Sequence, residues 1–237
     1  MENNKKNTLI MFGAIALILV ILIIALLVTN KKENKTTSKE DMLNINYEIE
    51  GNEMNLEKYN TENPVVAMYI EGYGSIVIEL YPDIAENTVN NFISLVKSGF
   101  YDNNTFHRLV PGFVLQGGDP NGQGSGGPGY HIKGEFAANG YENNLKHEEK
   151  VVSMARSSSY DSAGSQFFIM LGEASYLDGN YAAFGKVIDG WENIERIASQ
   201  ETVSNSQTGK LTTNLTIKKA VVDLKGKTYK EVEKVTE

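Results

Sequence analysis

Residues 106–119 read FHRLVPGFVLQGGD, two apolar runs joined by Pro111-Gly112 and closed by two glycines and an acid. Proline followed by glycine between β-rich segments is turn chemistry, so the stretch predicts strands at 106–109 and 113–116. Arg108 sits in the first of them between apolar neighbours. Taken alone, such an arginine reads as an edge charge or an ion-pair partner. Further along, GSQFFI at 164–169 places two phenylalanines side by side in another β-rich run, and paired phenylalanines usually belong to a core.

The same reading extends outward. Residues 64–70 and 75–81 are β-rich and separated by EGYG, which predicts a hairpin. Val89, Phe92, Ile93 and Val96 recur at helical spacing, and Lys97-Ser98-Gly99 supplies a basic last turn and a glycine stop. Further strands are expected at 151–155, 166–171, 182–187 and 215–224, with a second helix at 192–199 after Gly190. Many strands with only two helices, far apart in sequence, do not make βαβ units. An antiparallel barrel or sandwich is the expected mainly-β class.

Composition removes several functions. The 237 residues carry a net charge of −8 and a pI near 5.1, against a nucleic-acid binder that neutralises phosphates. The absence of cysteine excludes disulfides, thiolate catalysis and Cys-ligated metals. His107, His131 and His147 lack any close ligand spacing, so no metal is expected. Nine of the 22 glycines lie between Gly112 and Gly134, and GQGSGG at 122–127 matches the dinucleotide fingerprint by letter. Pro120-Asn121 stand where a strand should end and Pro128-Gly129 where a helix should begin, so the segment reads as a loop and no cofactor is expected. Neither Ser125 nor Ser165 completes Gly-x-Ser-x-Gly.

Residues 9–28 are apolar at 19 of 20 positions, interrupted only by Gly13. A helix of that length spans about 30 Å, the thickness of a bilayer's hydrocarbon layer. The run exceeds a signal peptide's apolar core and no Ala-x-Ala site follows it, so an uncleaved single-pass anchor in the cell membrane is expected. The expected layout is a stub at 1–8, a transmembrane helix at 9–28, a polar tether at 29–62, a folded domain at 63–225 and a charged tail at 226–237. Within the tether, 43–49 alternates with period two and could add a short strand. Lys31, Lys32, Lys35 and Lys39 outnumber Lys5 and Lys6, which by charge would keep the domain inside. The short stub before a first apolar segment is instead how export signals are built, and an extracytoplasmic domain is expected.

Read together, Asn91-Phe92, the 106–119 block, Ser153-Met154-Ala155, 165–169, Leu177-Asp178-Gly179 and Phe184-Gly185-Lys186-Val187 resemble the cyclophilin family of peptidyl-prolyl isomerases over about residues 64–224. The short loop 98–105, with Arg156 and Tyr181, is similar to bacterial members. The resemblance implies a closed eight-stranded antiparallel β-barrel capped by two α-helices, and catalysis of rotation about X–Pro bonds in proline-containing polypeptides during protein folding, without a cofactor. A non-catalytic proline-peptide-binding or chaperone module on the same fold is the alternative, and a monomer is expected.

Motif matching also implies roles. Arg108 resembles the donor to the twisted imide nitrogen. Phe113 and Phe168 resemble the floor and wall of the proline pocket, with Val114 and Leu177 beside them. Gln116 is similar to the glutamine that binds substrate backbone and orients the arginine, His107 to a supporting rim residue, and the Arg156 backbone to a peptide-pairing segment. Tyr176 stands where many eukaryotic members carry Trp, which implies weakened cyclosporin binding. Tyr181 replaces a histidine on the pocket's edge.

Overall fold

The computed structural model of the chain describes residues 46–49, 52–206 and 208–235. The expected anchor at 9–28 and its stub lie outside the described residues, as does the tether before residue 46. Among the described residues no helix is long and apolar enough to cross a membrane.

In chain order the strands are β1 (Asn46–Ile49), β2 (Asn52–Asn55), β3 (Val65–Ile70), β4 (Gly74–Leu80), β5 (Asn104–Val110), β6 (Val114–Asp119), β7 (His131–Ile132), β8 (Val151–Met154), β9 (Phe167–Met170), β10 (Ala183–Asp189), β11 (Val203–Asn205), β12 (Lys210–Asp223) and β13 (Lys234–Val235). Helix α1 spans Glu86–Lys97 and α2 spans Trp191–Gln200. Eight strands close a ring in the order β12-β3-β4-β10-β8-β9-β6-β5 and back to β12, every neighbouring pair antiparallel. The long β12 makes closure possible, because its second half pairs with β3 while earlier residues pair with β5. Among the described residues the fold is therefore a mainly-β, closed antiparallel barrel with two α-helices, and the sandwich is excluded.

Alternation sorts the side chains. Val66, Met68, Ile70, Ile76, Ile78, Leu80, Phe106, Leu115, Val152, Phe167, Ile169 and Phe184 join one buried cluster that fills the barrel. Phe92 of α1 plugs it, with ring centroids 5.1 Å from Tyr101, 5.4 Å from Phe167 and 5.0 Å from Phe184. The start of α1 is held by Glu135, whose carboxylate accepts from the N–H groups of Asn87 at 2.9 Å and Thr88 at 2.6 Å, a stabilising arrangement at the positive end of a helix. The predicted helices lie within the observed ones, each lengthened at its ends.

Both flanks of the domain differ from their expected plain solvated character. Residues 46–49 are strand as the alternation allowed, and they pair with β2 as a hairpin inside the expected tether. Leu56 is buried against Val65, Ala67, Tyr69, Val77 and Val221. At the other end Tyr229 and Val232 pack on the barrel cluster, the Asn87 side chain exchanges two hydrogen bonds with the Glu233 backbone, and β13 pairs with β7. Charged residues dominate the composition of 226–237 and hide these apolar anchors, which a period-based reading cannot separate from a solvated tail.

Candidate active site

Arg108 reaches the outer face of the barrel through a bulge. Phe106 pairs with Gly117 and Arg108 with Gln116, so His107 is an extra residue on β5. Plain alternation would send Phe106 and Arg108 to one face. The extra residue resets the phase: Phe106 is buried in the barrel and Arg108 lies half-buried outside it. A second irregularity, at Gly118, compensates on β6 with φ +85°. A Cβ there would stand 2.3 Å from the Ser165 carbonyl oxygen, so only glycine fits.

From Arg108 a row of register partners crosses four strands: Arg108 on β5, Gln116 on β6, Phe168 on β9 and Ser153 on β8. The guanidinium is held on two sides. Nε donates to the Thr208 carbonyl at 2.9 Å and Nη1 to Gln116 Oε1 at 3.1 Å. Gln116 Nε2 donates to Gln166 Oε1 at 3.1 Å, and Gln166 Nε2 to the Gly126 carbonyl at 2.9 Å. Among the described residues Nη2 has no partner, so a fixed, permanently charged donor stands ready for a ligand. The glycine-rich segment is the loop expected, tied down by Asp119, whose buried carboxylate accepts from the N–H groups of Asn121, Gln123, Gly124 and Ser125.

Beside the guanidinium lies an apolar slot. Val114, Phe168 and Leu177 cluster with Val151, Met170, Ala174 and Ala183, and the partly exposed Phe113 and Tyr181 pack against them. The Phe113 ring centroid is 5.9 Å from the Arg108 guanidinium carbon and 6.1 Å from the Tyr176 ring, stacked at 28°. Tyr176 is 69% exposed, which leaves its face open to a ligand. Tyr181 stands edge-on to Phe168 at 5.8 Å.

Two expected site residues sit differently from the rest. Arg156 turns its side chain into an aromatic cage, 5.2 Å from the Phe136 ring, 5.0 Å from Tyr160 and 4.6 Å from Tyr181, with Nε donating to the Asn180 carbonyl at 3.0 Å. Its charge is spent on fixing the wall of the slot. His107 lines a separate polar cleft of about 390 Å³ with Asn104, Gln123, Lys210 and Thr212, and none of Phe113, Phe168, Leu177 or Tyr181 borders that cleft. Both its ring nitrogens are buried without a partner among the described residues. Burial lowers its pKa from the usual 6.5, Arg108 adds to the effect and Asp119 opposes it. Ser165 is buried with Oγ donating to the Gly118 carbonyl, a structural hydroxyl rather than a nucleophile.

Sequence reading missed Gln166 and Thr208, which complete the cradle of Arg108. Gln166 lay inside a quoted motif and could have been singled out. Thr208 acts through its carbonyl, which any residue could supply. It also missed the set formed by the buried His147 and Ser153 and the half-buried Asp178, because the serine and the aspartate lie six and 31 positions from His147 and no single motif joins the three.

The burial of His107 and His147 has a measurable consequence. Both have folded pKa values below 6.5, His147 again chiefly through burial, with Asp178 opposing. The native state then binds fewer protons than the unfolded chain, so their contribution is present above about pH 6.5 and lost as pH falls from there toward the lowered values. Against burial, Asp119 is held below 3.8 by hydrogen bonds from backbone N–H groups and Asp178 by the backbone and ring of His147 and by Lys146, so their contribution is lost only at still lower pH. Urea unfolding is expected to show a lower midpoint at about pH 5 than at about pH 7.5. An unchanged or higher midpoint at the lower pH would contradict the assignment of neutral, buried imidazoles.

A closed eight-stranded barrel, with an arginine cradled on its outer face beside an aromatic slot, defines the class by fold and site. The family within that class is set by comparison. The model of the cyclophilin type peptidyl-prolyl cis-trans isomerase/CLD family matches residues 65–222, and the chain belongs to that family. It is similar to peptidyl-prolyl cis-trans isomerase B of Bacillus subtilis, 44% identical over 134 residues that make up 56% of this chain and 90% of the relative. It is also similar to a peptidyl-prolyl cis-trans isomerase of Helicobacter pylori, 40% identical over 134 residues covering 56% and 79%. The crystal structure of a Cryptosporidium parvum cyclophilin type isomerase, obtained in the presence of the dipeptide Ala-Pro, superposes with a TM-score of 0.60 at 32% identity, covering 67% of this chain and 98% of that one.

Proposed function

We propose that the chain catalyses cis–trans rotation about X–Pro peptide bonds, with Arg108 as the group that makes the slot an enzyme. Its membership of an isomerase family supports the activity, and the observation that carries the mechanism is the guanidinium fixed by Thr208 and Gln116 beside the Phe113 and Phe168 slot. An X–Pro bond turns slowly because its C–N bond is partly double, and the uncatalysed step takes roughly 10–100 s. No covalent step is needed. When the bond twists, resonance is lost and the proline nitrogen acquires a lone pair that can accept a hydrogen bond. Nη2 of Arg108 donates to that nitrogen in the twisted state and finds no such acceptor in the planar one, which is selective stabilisation of the transition state.

In this reading Phe113, Val114, Phe168 and Leu177 hold the proline ring while the acyl side turns. Gln116 aims the arginine and meets substrate backbone, and the segment at Arg156 pairs with the peptide main chain. His107 supports the bulge rather than the ligand. The Ala-Pro dipeptide used with the Cryptosporidium relative matches the smallest substrate this slot would take. The test is exchange spectroscopy by NMR on a short X–Pro peptide. Added protein is expected to accelerate cis–trans exchange, and binding without acceleration would convert the reading to a non-catalytic peptide-binding or chaperone module.

The finer proposals rest on the residues named. Tyr176 presents a phenol in place of an indole N–H, so cyclosporin binds weakly, and Tyr176→Trp is expected to tighten it in a calorimetric titration. No gain in affinity would remove that explanation. The short loop 98–105 supports kinship with bacterial members. Closure leaves the eight strands of the ring without a free edge of their own, which supports a monomer. The apolar run at 9–28 supports a single-pass anchor holding the domain outside the cytoplasm, where it would assist folding at the membrane. Protease added to intact cells is expected to remove the domain, and full protection would reverse the orientation.

A further inference from the structure

We infer that His147 is a positioning residue for the isomerisation, acting through the ring of Phe168; the inference rests on the reading of the slot given above. His147 is 1% exposed and its ring stacks on Phe168, centroids 6.1 Å apart and planes 23° apart. Its edge-on neighbour is Tyr181 at 6.5 Å. Both ring nitrogens are held: Nδ1 lies 3.1 Å from Asp178 Oδ1 and Nε2 lies 3.0 Å from Ser153 Oγ. An ionised carboxylate only accepts, so Nδ1 carries the proton and Nε2 accepts from the Ser153 hydroxyl.

This arrangement grips the slot from two directions. Ser153 is the register partner of Phe168, so the imidazole is bonded to one member of the cross-strand row and stacked on the next. Asp178 directly follows Leu177, and its Oδ1 also accepts the His147 backbone N–H at 2.9 Å while Oδ2 meets Lys146 at 3.3 Å. The Ala174 N–H donates to the His147 carbonyl at 2.9 Å. One residue therefore fixes the ring of Phe168 and the turn that carries Tyr176 and Leu177. The order of serine, histidine and aspartate matches that of a hydrolase, yet Ser153 is 0% exposed and no substrate carbonyl can reach its oxygen.

The consequence for catalysis follows from the row. Phe168 is also the register partner of Gln116, which holds Arg108. A tilt of the ring moves the proline nitrogen relative to Nη2. Apolar contact tolerates such a shift, whereas a hydrogen bond that exists only in the twisted state does not, and misplacement by about 1 Å can cost up to about 10²-fold. The loss should therefore appear in kcat and leave KM nearly unchanged.

The test uses the full chain, with exchange spectroscopy over a range of peptide concentrations to separate kcat from KM. His147→Phe keeps a stacked ring and removes both ring hydrogen bonds. Ser153→Ala removes only the hydroxyl, and decides the matter alone if His147→Phe fails to fold. Each is expected to lower kcat about tenfold with KM within about twofold. The imidazole nitrogen spectrum of the wild type should show the proton on Nδ1, and Ser153→Ala should mix the two tautomers. A folded Ser153→Ala protein with wild-type kcat overturns the inference and leaves the isomerase reading standing. A wild type that does not accelerate exchange overturns both.

Discussion

Arg108→Ala is expected to lower kcat/KM for an X–Pro peptide by about 10²–10³-fold while peptide affinity and the folded state survive. The size follows from comparison with other sites where a single fixed donor meets charge that exists only in the transition state. The expectation is sharpened here by geometry. Arg108 is half-buried, held through Nε and Nη1, and needs no reorganisation when the substrate nitrogen pyramidalises. The slot formed by Phe113, Phe168 and Leu177 is untouched by the substitution, so binding of the proline ring persists. Arg108→Lys keeps the charge but loses the fork that engages Thr208 and Gln116 together, and is expected to recover only a small part of the rate. Equal exchange rates for wild type and Arg108→Ala would refute the role given to the guanidinium.

Phe167→Ala is expected to cost about 3–5 kcal/mol of stability, read as a fall in the urea midpoint. Phe167 is 0% exposed and makes edge-on contacts with Phe92 at 5.4 Å, Tyr101 at 5.5 Å and Phe106 at 5.8 Å. Nothing nearby can collapse into the space, because the closed ring holds the surrounding strands apart. Against a typical total of about 5–15 kcal/mol, the loss brings the fold close to its limit. The next residue gives the contrast. Phe168 lies on the outer face, 5% exposed, so Phe168→Ala should chiefly lower kcat/KM by opening the slot. If the two substitutions had the same profile, the assignment of one ring to the core and the other to the ligand would be wrong.

Much of this was legible in order along the chain. The hairpin at 64–81, the helix bearing Phe92 and the strands around Arg108 and Phe168 all follow from period, turn chemistry and capping, because those are local properties of consecutive residues. The resemblance of separate blocks then placed Arg108, Phe113, Gln116 and Phe168 in one site, and the structure brings them together. Other features were not legible. The paired phenylalanines read as core, and only the strand's orientation divides them. The resemblance gives Arg156 only a backbone role, and its side chain finds its place where Phe136, Tyr160 and Tyr181 enclose it, contacts that span 4 to 25 positions of sequence. Tyr229 and Val232 read as part of a charged tail because two apolar residues among charges carry no period.

The sequence by itself determined the class of fold and the strand and helix order, since short-range pattern suffices for both, and the resemblance of separate blocks to a known family supplied the groups around the slot. Tertiary structure alone decided which way Arg108 points, because one extra residue at His107 reverses the phase of a strand whose alternation would otherwise bury it. It alone also set His147 behind Phe168, with Ser153 and Asp178 at its two nitrogens. Contacts of that kind are made by barrel closure, which brings distant strands into register and leaves no trace in any single stretch of sequence.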